Sequence, residues 1–216
     1  MKKRKSRSRI NPEKAELPEL LDYLGLHITA AGSDGLIAEA IKHNWSHQKF
    51  LEALVSREAS AKRERSINAR VAQAGFTVIK TIDSFDFNFP KEIPREKVLG
   101  ALSLRFIEAG GGFIFLGEPG TGKTHLATAI GYSACLSGHS VRCTTAIDMI
   151  NSLQAAQAGH HYRKAMDSYI RPELLILDEI GYLPFDDKGA NLFFQVISGR
   201  YETGSTILTT NQPFAR

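Results

Sequence analysis

Gly112-Phe113-Ile114-Phe115-Leu116-Gly117-Glu118-Pro119-Gly120-Thr121-Gly122-Lys123-Thr124 is an apolar run passing into the pattern G-x-x-x-x-G-K-[ST]. The five residues 112–116 have the length and apolar character of a strand. The compact apolar series after Thr124 (Ala127, Ala129, Ile130, Ala134) predicts a helix over 123–137. A strand that feeds a glycine turn opening a helix aims several backbone N–H groups and the positive helix end at one anion. Gly117, Glu118, Pro119, Gly120, Thr121, Gly122, Lys123 and Thr124 are therefore read as a cradle for the phosphates of a nucleotide such as ATP. Lys123 would reach the β- and γ-phosphates, and the Thr124 hydroxyl would ligate Mg²⁺. His125, next in line, is counted with the nucleotide-binding positions, although its ring is expected to pack rather than to catalyse.

The alternation around this loop decides the fold class. A helix is expected over 97–109, strands at 112–116, 140–144, 174–177 and 206–209, and helices at 123–137, 146–158 and 187–201. Residues 159–171 read as a polar, mixed stretch. Apolar strands alternating with helices predict an α/β fold, a parallel sheet covered on both faces. Leu174-Leu175-Ile176-Leu177 would deliver Asp178 and Glu179 to the carboxyl edge of that sheet, where open α/β folds bind ligands. Asp178 suits Mg²⁺ because a hard cation takes oxygen ligands, and Glu179 suits the polarisation of an attacking water. Either acid alone would pass for a helix cap or a surface turn, and it is their combination with the upstream phosphate loop that predicts hydrolysis. Asn211, closing the last apolar strand in Thr209-Thr210-Asn211, is the candidate to orient that water.

The amino-terminal part has another pattern. Leu17, Leu20, Leu21 and Leu24 recur at helical spacing up to Gly25, with Asn11-Pro12 as a candidate cap and first position. A second helix is expected from Leu36 to Trp45, and a third from a Ser46 cap toward Val71. Residues 11–74 thus read as a small all-helical module, with Gly75 as its boundary and 75–216 as the α/β part. Phe85-Asp86-Phe87-Asn88-Phe89-Pro90 alternates aromatic and polar residues, which suggests a short extended piece.

The chain has 216 residues, 43% hydrophobic and 23% charged, as in ordinary globular proteins. No run of 18 apolar residues is present, so no membrane span or membrane partner is expected. The formal net charge of +4 is uneven: residues 2–9 carry six basic side chains and no acid, leaving −2 for the rest. The tail 1–10 is expected to be disordered, and it reads equally as a solvated terminus or as an arm for a polyanion. Cys135 and Cys143 form neither a C-x-x-C pair nor a metal spacing, and they suggest buried thiols in a reducing, cytoplasmic compartment. His160-His161 lacks a third ligand nearby. Arg163, Lys164 and Arg171 could touch phosphates, but on the residues alone a solvated loop is the better reading.

Three blocks carry a resemblance. GEPGTGKTHLA, LLILDEIGYLPFD and STILTTNQPF, in this order, resemble the IstB-type transposition helper ATPases of the AAA+ superfamily, in the clade of the replication initiator DnaA and the helicase loader DnaC. The segment HQKFLEALVSREASAKRER is similar to that family's amino-terminal module. The resemblance implies a P-loop AAA+ core behind a helical domain, in a bacterial protein associated with the nucleoid. It implies ATP and Mg²⁺ as cofactors and double-stranded DNA, a cognate transposase and self-association into a ring or helical oligomer as partners. Walker A falls on Gly117 to Thr124, Walker B on Asp178 and Glu179, and the sensor-1 amide on Asn211. A helical insertion of the clade matches 152–170, which brings Arg163 and Lys164 toward DNA. Family members continue past Asn211 with an arginine finger, a fifth strand and a helical lid. Measured against them the chain reads as truncated, with 112–116 left unpaired on one side. A helicase loader and a non-hydrolysing, nucleotide-dependent DNA-binding scaffold are the alternatives.

Overall fold

A computed structural model describes residues 11–88, 93–159, 161–180 and 186–212. The basic tail, residues 89–92 with Phe89-Pro90, His160, residues 181–185 and the segment after Gln212 lie outside the described residues. Contacts divide the chain into two compact units, up to Ser66 and from Ile67 onward. The first unit holds α1 (Leu17–Tyr23), α2 (His27–Lys42) and most of α3 (His47–Ala74), a helix that runs through the division. Asn11-Pro12 does not open a helix. That role falls to Pro18 in the first turn of α1, behind Glu16, where a missing N–H costs nothing. Ser46 accepts the Lys49 N–H at 3.2 Å as expected of a cap.

The second helix begins nine residues earlier than its apolar stripe suggests. Leu26, at its N-cap, offers no polar side chain. The carboxylate of Glu58 on α3 takes over, accepting the N–H groups of Ile28 (3.1 Å) and Thr29 (3.2 Å). Glu58 is buried and also accepts from Arg65 at 3.0 Å. An anion at orphan helix donors satisfies them and meets the helix dipole.

The unit from Ile67 carries a short 3₁₀ turn (Ile82–Ser84), α4 (Arg95–Leu102), α5 (Arg105–Glu108), β1 (Gly112–Leu116), α6 (Lys123–Ser137), β2 (Val141–Thr145), α7 (Ala146–Ala158), α8 (Tyr162–Ile170), β3 (Leu174–Ile180), α9 (Asp187–Gly199) and β4 (Ser205–Thr210). All pairings are parallel, in the order β1-β4-β3-β2. The last strand in sequence therefore lies between the first and the third, so the ends of β1, β3 and β4 meet at one edge. Among the described residues β1 pairs on one side only.

Both faces of the sheet are covered at β3, which explains its continuous apolar run. Ile114 and Leu116, by contrast, leave one face of β1 about half exposed among the described residues, against the expectation of a sheet covered throughout. Leu174 and Ile176 join the cluster with Ile130, Ala134 and Ile107. Leu175 and Leu177 join the opposite one with Met149, Leu153, Leu192 and Val196. Alternate residues of one strand thus feed two cores, the period-two rule with both faces dry. Gly131 on α6 permits the close approach, because a Cβ there would stand 2.5 Å from Ile176 Cδ1.

Three further expectations need correction. The helix expected over 97–109 is broken: Leu104 takes a left-handed φ of +61° between α4 and α5. The break lets both Leu104 and Ile107 enter the core. The polar stretch 159–171 contains α8, whose Tyr162, Ala165, Met166 and Tyr169 recur at i, i+3, i+4 and i+7 and pack on the second core. Of the piece expected to be extended from Phe85, Phe85 itself is extended behind the 3₁₀ turn, Phe87-Asn88 form a turn instead, and Phe89-Pro90 lie outside the described residues.

Candidate nucleotide-binding site

The loop 117–124 joins β1 to α6, and Gly120 and Gly122 take φ of +82° and +85°. These are conformations that glycine enters without steric cost. A Cβ on Gly122 would also lie 2.6 Å from the Phe85 ring. The loop is tied to the sheet by the Gly117 N–H, which donates to the Thr210 carbonyl at 3.3 Å. Lys123 is the first residue of α6, and its ammonium donates to the carbonyls of Gly117 (2.8 Å) and Glu118 (2.7 Å). The Thr121 hydroxyl donates to the Glu118 carbonyl at 2.8 Å. The amino-terminal end of the 15-residue α6 therefore points its unpaired N–H groups and a cation at one spot.

The acids arrive from the sheet. Thr124 donates its hydroxyl proton to Oδ1 of Asp178 at 3.0 Å, joining α6 to the end of β3. Glu179 follows, with a left-handed φ of +59°, a conformation that costs a non-glycine residue roughly 1 kcal/mol. A cavity of about 290 Å³ is lined by Pro119, Gly120, Gly122, Lys123 and Thr124 from the loop, and by Glu179, Thr209, Thr210 and Asn211 from the strand ends. Asn211 Oδ1 is buried and has no hydrogen-bond partner among the described residues. Such an acceptor is costly unless something else satisfies it.

The structure thus brings Lys123, Thr124, Glu179 and Asn211 together around one cavity, with Asp178 joined to it through Thr124. Gly117, Glu118 and Thr121 line a second cavity, of about 790 Å³, between β1 and α4, which Lys123 also borders. His125 turns elsewhere. Its Nε2 lies 2.9 Å from the Thr81 carbonyl oxygen, and its ring meets the edge of Phe85 at 5.1 Å. Phe85 in turn packs edge-on against Phe87. Arg163 and Lys164 are exposed on α8, whereas Arg171 is paired with Asp167 at 2.7 Å.

The charge of Asp178 is felt on the neighbouring strand. Burial first, and then the Asp178 carboxylate, push the Cys143 thiol up to about 12 against the pull of Arg142. Burial likewise pushes Cys135 up to about 11. Neither thiol is a nucleophile at neutral pH. Thr124 and Asp178 offer two oxygens 3.0 Å apart, the donor type that Mg²⁺ prefers. Among the described residues no three His, Cys, Asp or Glu side chains cluster as a metal site. This pair suits an ion that takes one or two protein oxygens and completes its shell from phosphate and water.

One residue of this site escaped the sequence reading. Thr209 is buried, and its hydroxyl contacts both Asp178 and Glu179. The signal was a hydroxyl two positions before Asn211, on the strand that turned out to lie beside β3.

Comparison with known proteins fits this geometry. The model of the IstB-like ATP binding protein family matches residues 19–216. The protein named for ATP binding in insertion sequence IS232 of Bacillus thuringiensis subsp. berliner is 37% identical over 92% of this chain and 80% of its own length. The solved structure of the DnaC helicase loader superposes with a TM-score of 0.53 at 27% identity, over 63% of this chain and 78% of that one. AMPPCP-bound DnaA from Aquifex aeolicus gives 0.55 at 25% identity, over 62% of this chain and 42% of that one. With a phosphate loop, a parallel sheet in the order described and a family match across nearly all its length, this chain belongs to the IstB-like ATP-binding proteins and has the AAA+ P-loop fold.

Proposed function

We propose that the chain hydrolyses ATP with Mg²⁺ and uses the nucleotide to act on double-stranded DNA in support of a transposase. The observation that carries the hydrolytic reading is the hydrogen bond between Thr124 and Asp178, which joins the phosphate loop to the carboxylates. In this reading Lys123 leaves the carbonyls of Gly117 and Glu118 for the phosphate oxygens, and the Thr124 hydroxyl and Asp178 hold Mg²⁺. Bound there, the ion supplies positive charge to the transferring phosphoryl group. Glu179 takes the proton of the attacking water, and the unpaired Asn211 amide oxygen orients that water.

The relative from an insertion sequence supports the transposition context. Arg163 and Lys164 are the candidate DNA contacts because they project from an exposed helix face. Arg171 is the weaker candidate because Asp167 already holds its guanidinium. Binding through phosphates is insensitive to sequence and weakens steeply with salt. A ring or helical oligomer would place such helices side by side along a duplex.

The test measures phosphate release and nucleotide binding, with and without duplex DNA, for the parent chain and for Glu179→Gln. Retained binding with hydrolysis lost in the variant is the expected result. Equal absence of release in both, with DNA binding intact, would replace the hydrolytic reading by that of a nucleotide-dependent scaffold. Capture of a replicative helicase rather than a transposase would move the chain to the loader class.

A further inference from the structure

Thr209 lies in β4, 1% exposed, and its single hydroxyl serves two neighbours. It accepts the Glu179 N–H at 2.9 Å and donates its proton to Oδ1 of Asp178. The pairing of the strands explains why both bonds are available. The ladder passes from Leu177↔Leu208 to Ile180↔Thr210, so two residues of β3, Asp178 and Glu179, stand against one residue of β4. An extra residue of this kind leaves a backbone group outside the ladder and redirects the side chain that it carries. Here the redirected residue is Glu179, at φ +59°, and the group outside the ladder is its N–H, which finds the Thr209 hydroxyl. Because that N–H takes a lone pair, the hydroxyl proton is free to go to Asp178. Asp178 Oδ1 therefore receives two hydroxyl protons, one from Thr124 and one from Thr209.

The geometry points to Thr209 as a positioning residue of the nucleotide site: one hydroxyl locks the bulge that aims Glu179 and holds the Asp178 carboxylate toward Thr124. Thr209 borders the same cavity as Asn211, but its hydroxyl is committed to the Glu179 N–H and to Asp178, so it acts through these neighbours. This role rests on the hydrolytic reading proposed above, because it assigns Thr209 the spacing between the Mg²⁺ ligand and the base. Valine keeps the shape and removes the hydroxyl. Serine keeps the hydroxyl and removes a methyl group.

The test compares the parent chain with Thr209→Val and Thr209→Ser. It follows kcat and KM for ATP, affinity for a non-hydrolysable ATP analogue, thermal stability, and hydrogen exchange of the Glu179 amide. Misplacing a reacting group by an ångström costs about 100-fold. Thr209→Val should therefore lower kcat by tenfold to about 100-fold with KM and analogue affinity within about twofold of the parent. It should also speed exchange at Glu179, and Thr209→Ser should restore both. Parental kcat in Thr209→Val would overturn the assignment, as would lost hydrolysis with Glu179 exchange unchanged. A loss of kcat, affinity and stability in step would make Thr209 a packing residue and overturn it equally. If the parent releases no phosphate, the hydrolytic reading fails by itself. The assignment then stands if Glu179 exchange rises in Thr209→Val and returns with Thr209→Ser, and it falls if exchange is unchanged.

Discussion

The two ends of β3 and β4 are built from the same strands and obey opposite rules. At the amino-terminal end Arg200, 2% exposed, is wrapped in acceptors. Its Nη1 lies 2.8 Å from each of the carbonyls of Tyr169, Ile170 and Pro172, and its Nη2 donates to Ser205 O at 2.5 Å and Glu173 O at 3.3 Å. Its Nε donates to the Thr206 hydroxyl at 3.2 Å. Nearby, Glu173 accepts from Ser140 N–H and hydroxyl and lies 2.8 Å from His139 Nδ1. At the carboxyl end the polar groups converge without saturating one another. Glu179 is strained, Asn211 keeps a free acceptor, and Lys123 rests on loop carbonyls. Groups locked into one buried network serve stability, whereas the ligand site keeps strain, an unpaired acceptor and bonds that a ligand can exchange.

If that contrast is sound, substitutions at the two ends should separate stability from ligand handling. The largest effect should come from Arg200→Leu, which leaves several buried carbonyls without a donor. We expect a loss of about 3 kcal/mol in denaturant unfolding, with nucleotide affinity of the folded fraction unchanged. Burial already pulls the Arg200 guanidinium down to about 10, so it remains charged at neutral pH and Arg200→Lys should lose less. Lys123→Ala should do the reverse. Its nucleotide affinity should fall by about 10- to 100-fold, roughly the strength of a charge-assisted hydrogen bond, while thermal melting barely moves. Loss of stability in Lys123→Ala equal to that in Arg200→Leu would erase the contrast.

The smallest effect concerns acid. Burial pushes the Glu173 carboxyl up, but the Ser140 N–H, His139 and the Ser140 hydroxyl outweigh it and hold the group below its ordinary value. A carboxyl whose folded value is depressed stabilises the fold above its unfolded value, and that stability is lost as pH falls through the folded one. Glu173→Gln should therefore flatten the acid side of the stability curve below about pH 4.5, with no change near pH 7 in its slope. The side chain is half exposed, so the total is under about 1 kcal/mol. A steeper acid limb in the variant would contradict the ordering of these contacts.

What the sequence made legible follows the range of the interactions. The bounds of β1, α6 and α7 were readable from short segments, because glycines and local caps set them. Thr145 accepts the Asp148 N–H at 3.0 Å at the head of α7, and Asp186 accepts Gly189 N–H at 2.7 Å at the head of α9. The early start of α2 was not readable, because its cap is a carboxylate 30 residues away in sequence. The break at Leu104 follows from what the core requires of two side chains. The helix α8 had a clear apolar stripe hidden among charges and histidines, and there the period itself was missed. In the site, the phosphate loop, Asp178, Glu179 and Asn211 stood out as motifs. Thr209 could not, since its role depends on a bulge that exists only once β3 and β4 are paired.

The contact between Phe85 and Gly122 limits how this loop can change over generations. A side chain at 122 meets two separate obstacles, the φ of +85° and a ring atom 2.6 Å away. Trimming the ring removes the collision and leaves the dihedral strain, while reshaping the turn relieves the strain and leaves the collision. No single second-site change should therefore revive a chain that has lost this glycine, and revertants selected from such a defect should regain the glycine itself.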